Sequence, residues 1–137
     1  MTMQLTPQEA LVYVMVTVAA ADRQITEAEL QRIGSMVNDL PVFRGMDGGW
    51  LGREAQDCGK VLAKPDGVRG VLALVGKALP EPLHETAYAL AAEVAASDLA
   101  VKEAEIDFLE MLAEELGLDE LICAALERCA RARHRTV

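Results

Sequence analysis

Four carboxylates, arranged in two pairs of equal spacing, are the residues of this sequence best suited to chemistry. Asp22 stands seven positions before Glu29, and Asp98 stands seven positions before Glu105. Carboxylate oxygens are the ligands that hard cations prefer, and this spacing copies the second half of an EF-hand loop. The pairs therefore indicate a divalent-cation site of the Ca²⁺ or Mg²⁺ type, which would combine Asp22 and Glu29, or Asp98 and Glu105, with neighbouring carboxylates.

The first half of an EF-hand loop is missing from both copies. Val18 and Val94 stand where the first carboxylate belongs, and Arg23 and Leu99 replace the central glycine. An ordinary EF-hand site is therefore not expected, and a cation site here would need another shape.

A second interpretation of the same carboxylates is mechanical. Thr26 and Glu29 have the spacing of a capping box, in which each side chain satisfies a backbone N–H of the other residue. The aspartates would then satisfy backbone groups in the turn, and the glutamates would lie near the positive end of a helix dipole. Both interpretations, cation ligands and helix caps, stay open.

The motif lies inside an internal repeat. Residues 18–30 and 94–106 align at a constant offset of 76 residues, and seven of the thirteen positions are identical. Each copy predicts an apolar helix, a short turn that starts with aspartate, and a second helix with an acidic first turn. The sequence therefore predicts two related helical hairpins.

Capping residues, prolines and glycines divide the chain into about seven predicted helices. They span about 7–21, 26–40, 50–63, 65–79, 83–97, 102–116 and 119–132. The first and fifth are apolar on nearly all sides, which predicts a central position. We expect a single all-α domain over 1–137, with a first half at 6–40, a glycine-rich middle at 41–80 and a second half at 83–133.

Composition excludes several classes of function. The 137 residues carry 13 basic and 22 acidic side chains, a balance opposite to that of nucleic-acid-binding proteins. The longest apolar stretch, 10–21, is too short to span a membrane. The beginning of the chain does not resemble a signal peptide, so we expect a cytoplasmic protein without a transmembrane segment.

Catalysis has little support in the sequence. No phosphate-binding loop, GxSxG or HExxH motif is present. A nucleophile pair would have to combine Cys123 or Cys129 with His134, and both cysteines are expected to be buried and inert. His84 is expected to be exposed. The sequence predicts a protein that is not an enzyme.

Two charged segments are candidates for contact with a partner. Acidic residues crowd the sixth predicted helix, where they form either a solvated face or a surface for a metal or a basic partner. Four arginines follow residue 127 and either complement the last helix dipole or contact anionic lipid or an acidic partner.

The repeated motif Ala-x-x-Asp-x-x-Ile/Val-x-x-x-Glu, with its aspartates at Asp22 and Asp98, resembles the TerB-like domains. These domains occur in tellurite-resistance proteins and in membrane-tethered DnaJ co-chaperones. The resemblance implies a bundle of about seven helices with pseudo-twofold halves and a non-enzymatic role in tellurite and stress resistance. It also implies a divalent cation at the acidic residues and a membrane-associated protein partner. The alternative is a plain helical interaction scaffold whose acidic motifs are only caps.

Overall fold

The structure is a computed structural model of the chain, and it describes residues 4–21, 25–46, 49–97 and 102–137. Within these ranges the chain forms seven α-helices and no β-strand, which confirms the all-α class. The helices are α1 (Pro7–Ala19), α2 (Glu27–Asp39), α3 (Trp50–Leu62), α4 (Gly67–Ala78), α5 (His84–Ala96), α6 (Glu103–Leu116) and α7 (Glu120–Arg133). Two short 3-10 helices, Pro41–Phe43 and Glu81–Leu83, precede α3 and α5.

Local capping explains why the helix ends lie close to the predicted positions. The Thr6 hydroxyl accepts a hydrogen bond from the Glu9 backbone N–H at 3.2 Å, and the Glu9 carboxylate accepts one from the Thr6 N–H at 2.8 Å. Pro7 occupies the first helical position, where its missing N–H costs nothing. α6 ends at Gly117, whose φ of 66° suits the left-handed cap that glycine adopts without strain.

α1 is the central helix of the bundle. Every residue from Ala10 to Ala19 is buried, and α1 contacts α2, α3, α4, α5 and α6. α5, the second apolar helix, contacts α1, α6 and α7. Val18 and Val94 are 0% and 2% exposed, as expected of valines on the two helices that were predicted to be central. A helix that is apolar on all sides is stable only where neighbours cover all of its faces.

The glycine-rich middle of the chain forms α3 and α4, which pack on α1 and on each other. α4 begins at Gly67 and not at Pro65, because Asp66 has a φ of 56° and lies outside the helical region. Gly67 packs against the end of α3, where a Cβ atom would lie 2.4 Å from the Leu62 carbonyl oxygen. This close approach of two backbones requires glycine.

A single apolar cluster contains residues from all seven of these helices. None of the helices in the described ranges is long and apolar enough to cross a membrane. The pseudo-twofold relation of the two hairpins stays a prediction, since the turn residues 22–24 and 98–101 lie outside the described residues.

Candidate functional site

The first predicted carboxylate pair is described only at Glu29, since Asp22 lies outside the described residues. Glu29 is the third residue of α2, and it forms the predicted capping box with Thr26. The Glu29 carboxylate accepts from the Thr26 N–H at 3.0 Å, and the Thr26 hydroxyl accepts from the Glu29 N–H at 3.1 Å. One oxygen of Glu29 is therefore engaged at the N-terminus of α2.

The second pair is described only at Glu105, since Asp98 also lies outside the described residues. The Glu105 carboxylate accepts a hydrogen bond from the Lys102 backbone N–H at 2.9 Å, as Glu29 does from Thr26. The second hydrogen bond of a capping box cannot form here. The Lys102 ammonium group only donates hydrogen bonds, so it cannot accept one from the Glu105 backbone N–H. Glu105 is 3% exposed, whereas Glu29 is half-buried. A buried carboxylate at this position was not expected from the sequence.

The arrangement of the described carboxylates bears on the predicted divalent-cation site. Hard cations need several oxygen ligands at one point. Within the described part of the chain, no group of three His, Cys, Asp or Glu side chains is placed to hold a metal ion. The described members of the motif are arranged as helix caps, so the cation site of Asp22, Glu29, Asp98 and Glu105 stays a prediction.

Four of the exposed acidic residues of α6 lie on one face of the helix. Glu103, Asp107, Glu110 and Glu114 are all exposed and follow a spacing of four, three and four residues. We call this set the α6 acidic stripe. Like charges at these spacings destabilise a helix by about 0.2–0.5 kcal/mol per pair, although the helix dipole favours Glu103 in the first turn of α6. A positively charged ligand would relieve this repulsion.

A pair of carboxyl groups, the buried Glu54 on α3 and the half-buried Glu9 on α1, lies between these two helices. Glu54 is only 7% exposed. Burial raises the pKa of Glu54 to about 7, helped by its hydrogen bond to Glu9 and by the negative charge of that group. The same hydrogen bond lowers the pKa of Glu9. Glu54 is therefore protonated below about pH 7, and its O–H donates a hydrogen bond to the Glu9 carboxylate.

Sequence analysis missed this pair, although a signal was present. Glu54 lies four residues before Cys58, one turn away on the buried side of α3. An acidic residue on the apolar face of a helix is unusual and is normally paired. Its partner, Glu9, could not be inferred, since the two residues meet only when α3 packs against α1.

Cys58, a third member of this region, is inert. Its thiol lies 3.6 Å from the Thr17 hydroxyl and donates to the Tyr13 carbonyl at 3.8 Å. Burial raises the pKa of Cys58 to about 11, so the nucleophilic thiolate is scarce near neutral pH.

The residues that could have formed a Cys/His pair are engaged in other contacts or are exposed. His134 Nε2 lies 2.9 Å from the Glu93 carboxylate on α5. Cys123 is buried next to Tyr88, and burial raises the pKa of its thiol. The expectation that Cys129 is buried was wrong, because its position on α7 faces solvent.

The expectation that His84 is exposed was also wrong. His84 is half-buried, and its Nε2 lies 3.1 Å from the Leu79 carbonyl oxygen. This contact links the start of α5 to the end of α4, so His84 has a structural role.

These observations define a compact all-helical module with two helix-capping glutamates, an exposed acidic helix face and a hydrogen-bonded pair of carboxyl groups, one of them buried. The model of the family described as "Tellurite resistance protein TerB" matches residues 8–134. The chain therefore belongs to the TerB family, as the repeated motif implied. Neither a curated protein nor a solved structure matches the chain.

Proposed function

We propose that this TerB-family chain serves tellurite and stress resistance as a non-enzymatic module that binds a protein partner. Membership of the family supports the link to tellurite resistance. The observation that carries the binding role is the α6 acidic stripe, because four exposed carboxylates on one helix face repel each other and attract a basic partner. A partner associated with the cytoplasmic side of a membrane fits this role.

Growth on tellurite tests the proposal in a strain that lacks its own TerB-family protein. The parent chain should restore growth, and the double variant Glu103→Lys/Asp107→Lys should fail to do so, because charge reversal repels a basic partner. Both substitutions are at exposed positions, so the thermal melt should stay close to that of the parent.

Two control variants separate binding from catalysis. Glu85→Lys changes an exposed glutamate outside the stripe, and Cys129→Ala removes an exposed thiol. Both should keep full resistance. Loss of resistance in Cys129→Ala with a normal thermal melt would instead indicate covalent chemistry at this thiol. Full resistance in Glu103→Lys/Asp107→Lys would contradict the proposal that the α6 acidic stripe binds the partner.

A second proposal is that the repeated motifs hold a divalent cation of the Ca²⁺ or Mg²⁺ type through Asp22, Glu29, Asp98 and Glu105. The observation that favours it is the recurrence of the same aspartate and glutamate positions in both copies of the repeat. Glu105 is buried and accepts a hydrogen bond from the Lys102 N–H, which leaves its role as a cation ligand to the experiment. The oxygen ligands of both motifs suit a hard cation.

Calorimetric titration of demetallated protein with Ca²⁺ and Mg²⁺ tests this site. Glu29→Gln and Glu105→Gln should each remove one binding event, since a neutral amide oxygen is a poorer ligand for a hard cation. Without metal, Glu29→Gln should cost less than about 1 kcal/mol of stability, because glutamine also completes a capping box. Glu85→Gln, in the first turn of α5, is the matched control. Unchanged affinity in both motif variants would eliminate the site.

A further inference from the structure

A continuous groove runs between α6 and α7, with α5 as its floor. Two adjoining cavities of about 260 and 480 Å³ form it, and they share Ile106, Leu109 and Glu127. α5 contacts both α6 and α7. From Ile106 to Gly117 the groove follows α6 for roughly 17 Å, or about three helical turns. We call it the α5 groove.

Small and apolar side chains line much of the α5 groove. Ala92, Ala95 and Ala96 line its narrow part; Ala92 and Ala95 are already only 3% exposed, so a partner would reach this part through Ile106 and the half-buried Ala96. Ile106 lines both parts and is 45% exposed, which is unusual for a large apolar side chain in a concave site. Covering it would be favourable, at about 25 cal/mol per Å² of apolar surface removed from water.

The rim of the α5 groove is acidic on both walls. Glu110 and Glu114 line it from α6, and Glu120 and Glu127 line it from α7. Glu127 is hydrogen-bonded to the buried Tyr88, which fixes its position. The groove therefore combines an apolar floor with four carboxylates, a pattern complementary to an amphipathic segment with basic edges.

We propose that the α5 groove binds an amphipathic helix of the partner protein, with Lys and Arg residues beside its apolar face. This inference rests on the proposed function and names the chemistry of the partner. A cleft of three turns between two helices matches helix-in-groove recognition, which uses apolar anchors at i, i+3 or i+4, and i+7. Arg131 lines the narrow end and faces the partner helix's C-terminus, which carries partial negative charge.

Fluorescence anisotropy with a labelled synthetic helix tests the groove directly. The probe is a peptide of about 14 residues, roughly four turns long, with leucines at i, i+3, i+4 and i+7 and lysines on both sides of that face. We expect saturable binding that weakens as salt concentration rises. Ile106→Asp should weaken it at least about tenfold, because it places a charge against the apolar face of the peptide where the two cavities adjoin.

Leu121→Asp is the matched control, since Leu121 is 78% exposed on α7 and does not line either cavity. It should bind the peptide like the parent. Equal binding of a scrambled peptide, or unchanged binding by Ile106→Asp, would overturn the proposal. A dimer in solution that Ile106→Asp dissociates would also overturn it, since the occupant would then be a second copy of this chain.

The two proposals fail in different ways. If the peptide does not bind while Glu103→Lys/Asp107→Lys still abolishes tellurite resistance, the groove is wrong and the binding module stands. If the peptide binds as expected while the resistance assay does not respond to the stripe variant, the groove binds a helix that serves another function.

Discussion

Val18→Asp should abolish cooperative folding of the protein. Val18 is 0% exposed on α1, the helix that contacts five of the other helices in the described ranges. Aspartate at this position would place a carboxylate among apolar side chains without a counter-charge. Burying an unpaired carboxylate costs several kcal/mol or more, whereas the unfolding free energy of a whole domain is only about 5–15 kcal/mol. Circular dichroism should show no cooperative thermal transition.

Val94→Asp is expected to behave in the same way, because Val94 is 2% exposed on α5, which packs on α1. The control is Glu114→Ala on the exposed side of α6, which should melt almost like the parent. If Val18→Asp melts near the parent temperature, α1 is not central, and the architecture described above is wrong.

Glu54→Gln should stabilise the protein at alkaline pH and have little effect at acidic pH. The pKa of Glu54 rises from 4.5 to about 7 in the folded state. The folded state then binds more protons than the unfolded state between these values. The stabilising contribution of Glu54 is therefore fully present below about pH 4.5 and is lost as pH rises through about 7.

The expected change in stability of Glu54→Gln follows from the same rise in the pKa of Glu54. The rise in the pKa of Glu54 corresponds to a loss of about 3 kcal/mol of unfolding free energy between acidic and alkaline pH. Glu9 offsets part of this loss, because its lowered pKa stabilises the folded state at high pH. We expect Glu54→Gln to gain about 2 kcal/mol over the parent near pH 8 and less than about 1 kcal/mol near pH 5. The glutamine amide donates to Glu9 at both pH values and carries no charge to desolvate.

Urea denaturation at the two pH values measures this difference. Glu85→Gln is the control, because Glu85 is exposed and its removal should change stability equally at both pH values. An equal loss of stability in Glu54→Gln at both pH values would show that Glu54 is ionised in the folded protein and is not paired with Glu9 as described.

The sequence alone determined the helices and their order, because these depend on interactions between near neighbours in the chain. Thr6, Pro7 and Glu9 mark the start of α1 by hydrogen bonds and backbone geometry that involve only four residues. The unbroken apolar stretch of α1 also showed that this helix must be central, since it has no face suited to water. The repeated motif carried the family resemblance in the same local way.

The tertiary structure alone decided which of the acidic residues are buried and which are displayed. Glu54 and Glu9 are 45 positions apart and share a proton only because α3 packs on α1. Glu105 occupies the same position of the repeat as Glu29 yet is nearly inaccessible to solvent. The α5 groove likewise depends on the placement of three helices. These features depend on the free energy of packing between distant segments. The local spacing of residues does not predict which helix covers a given side chain.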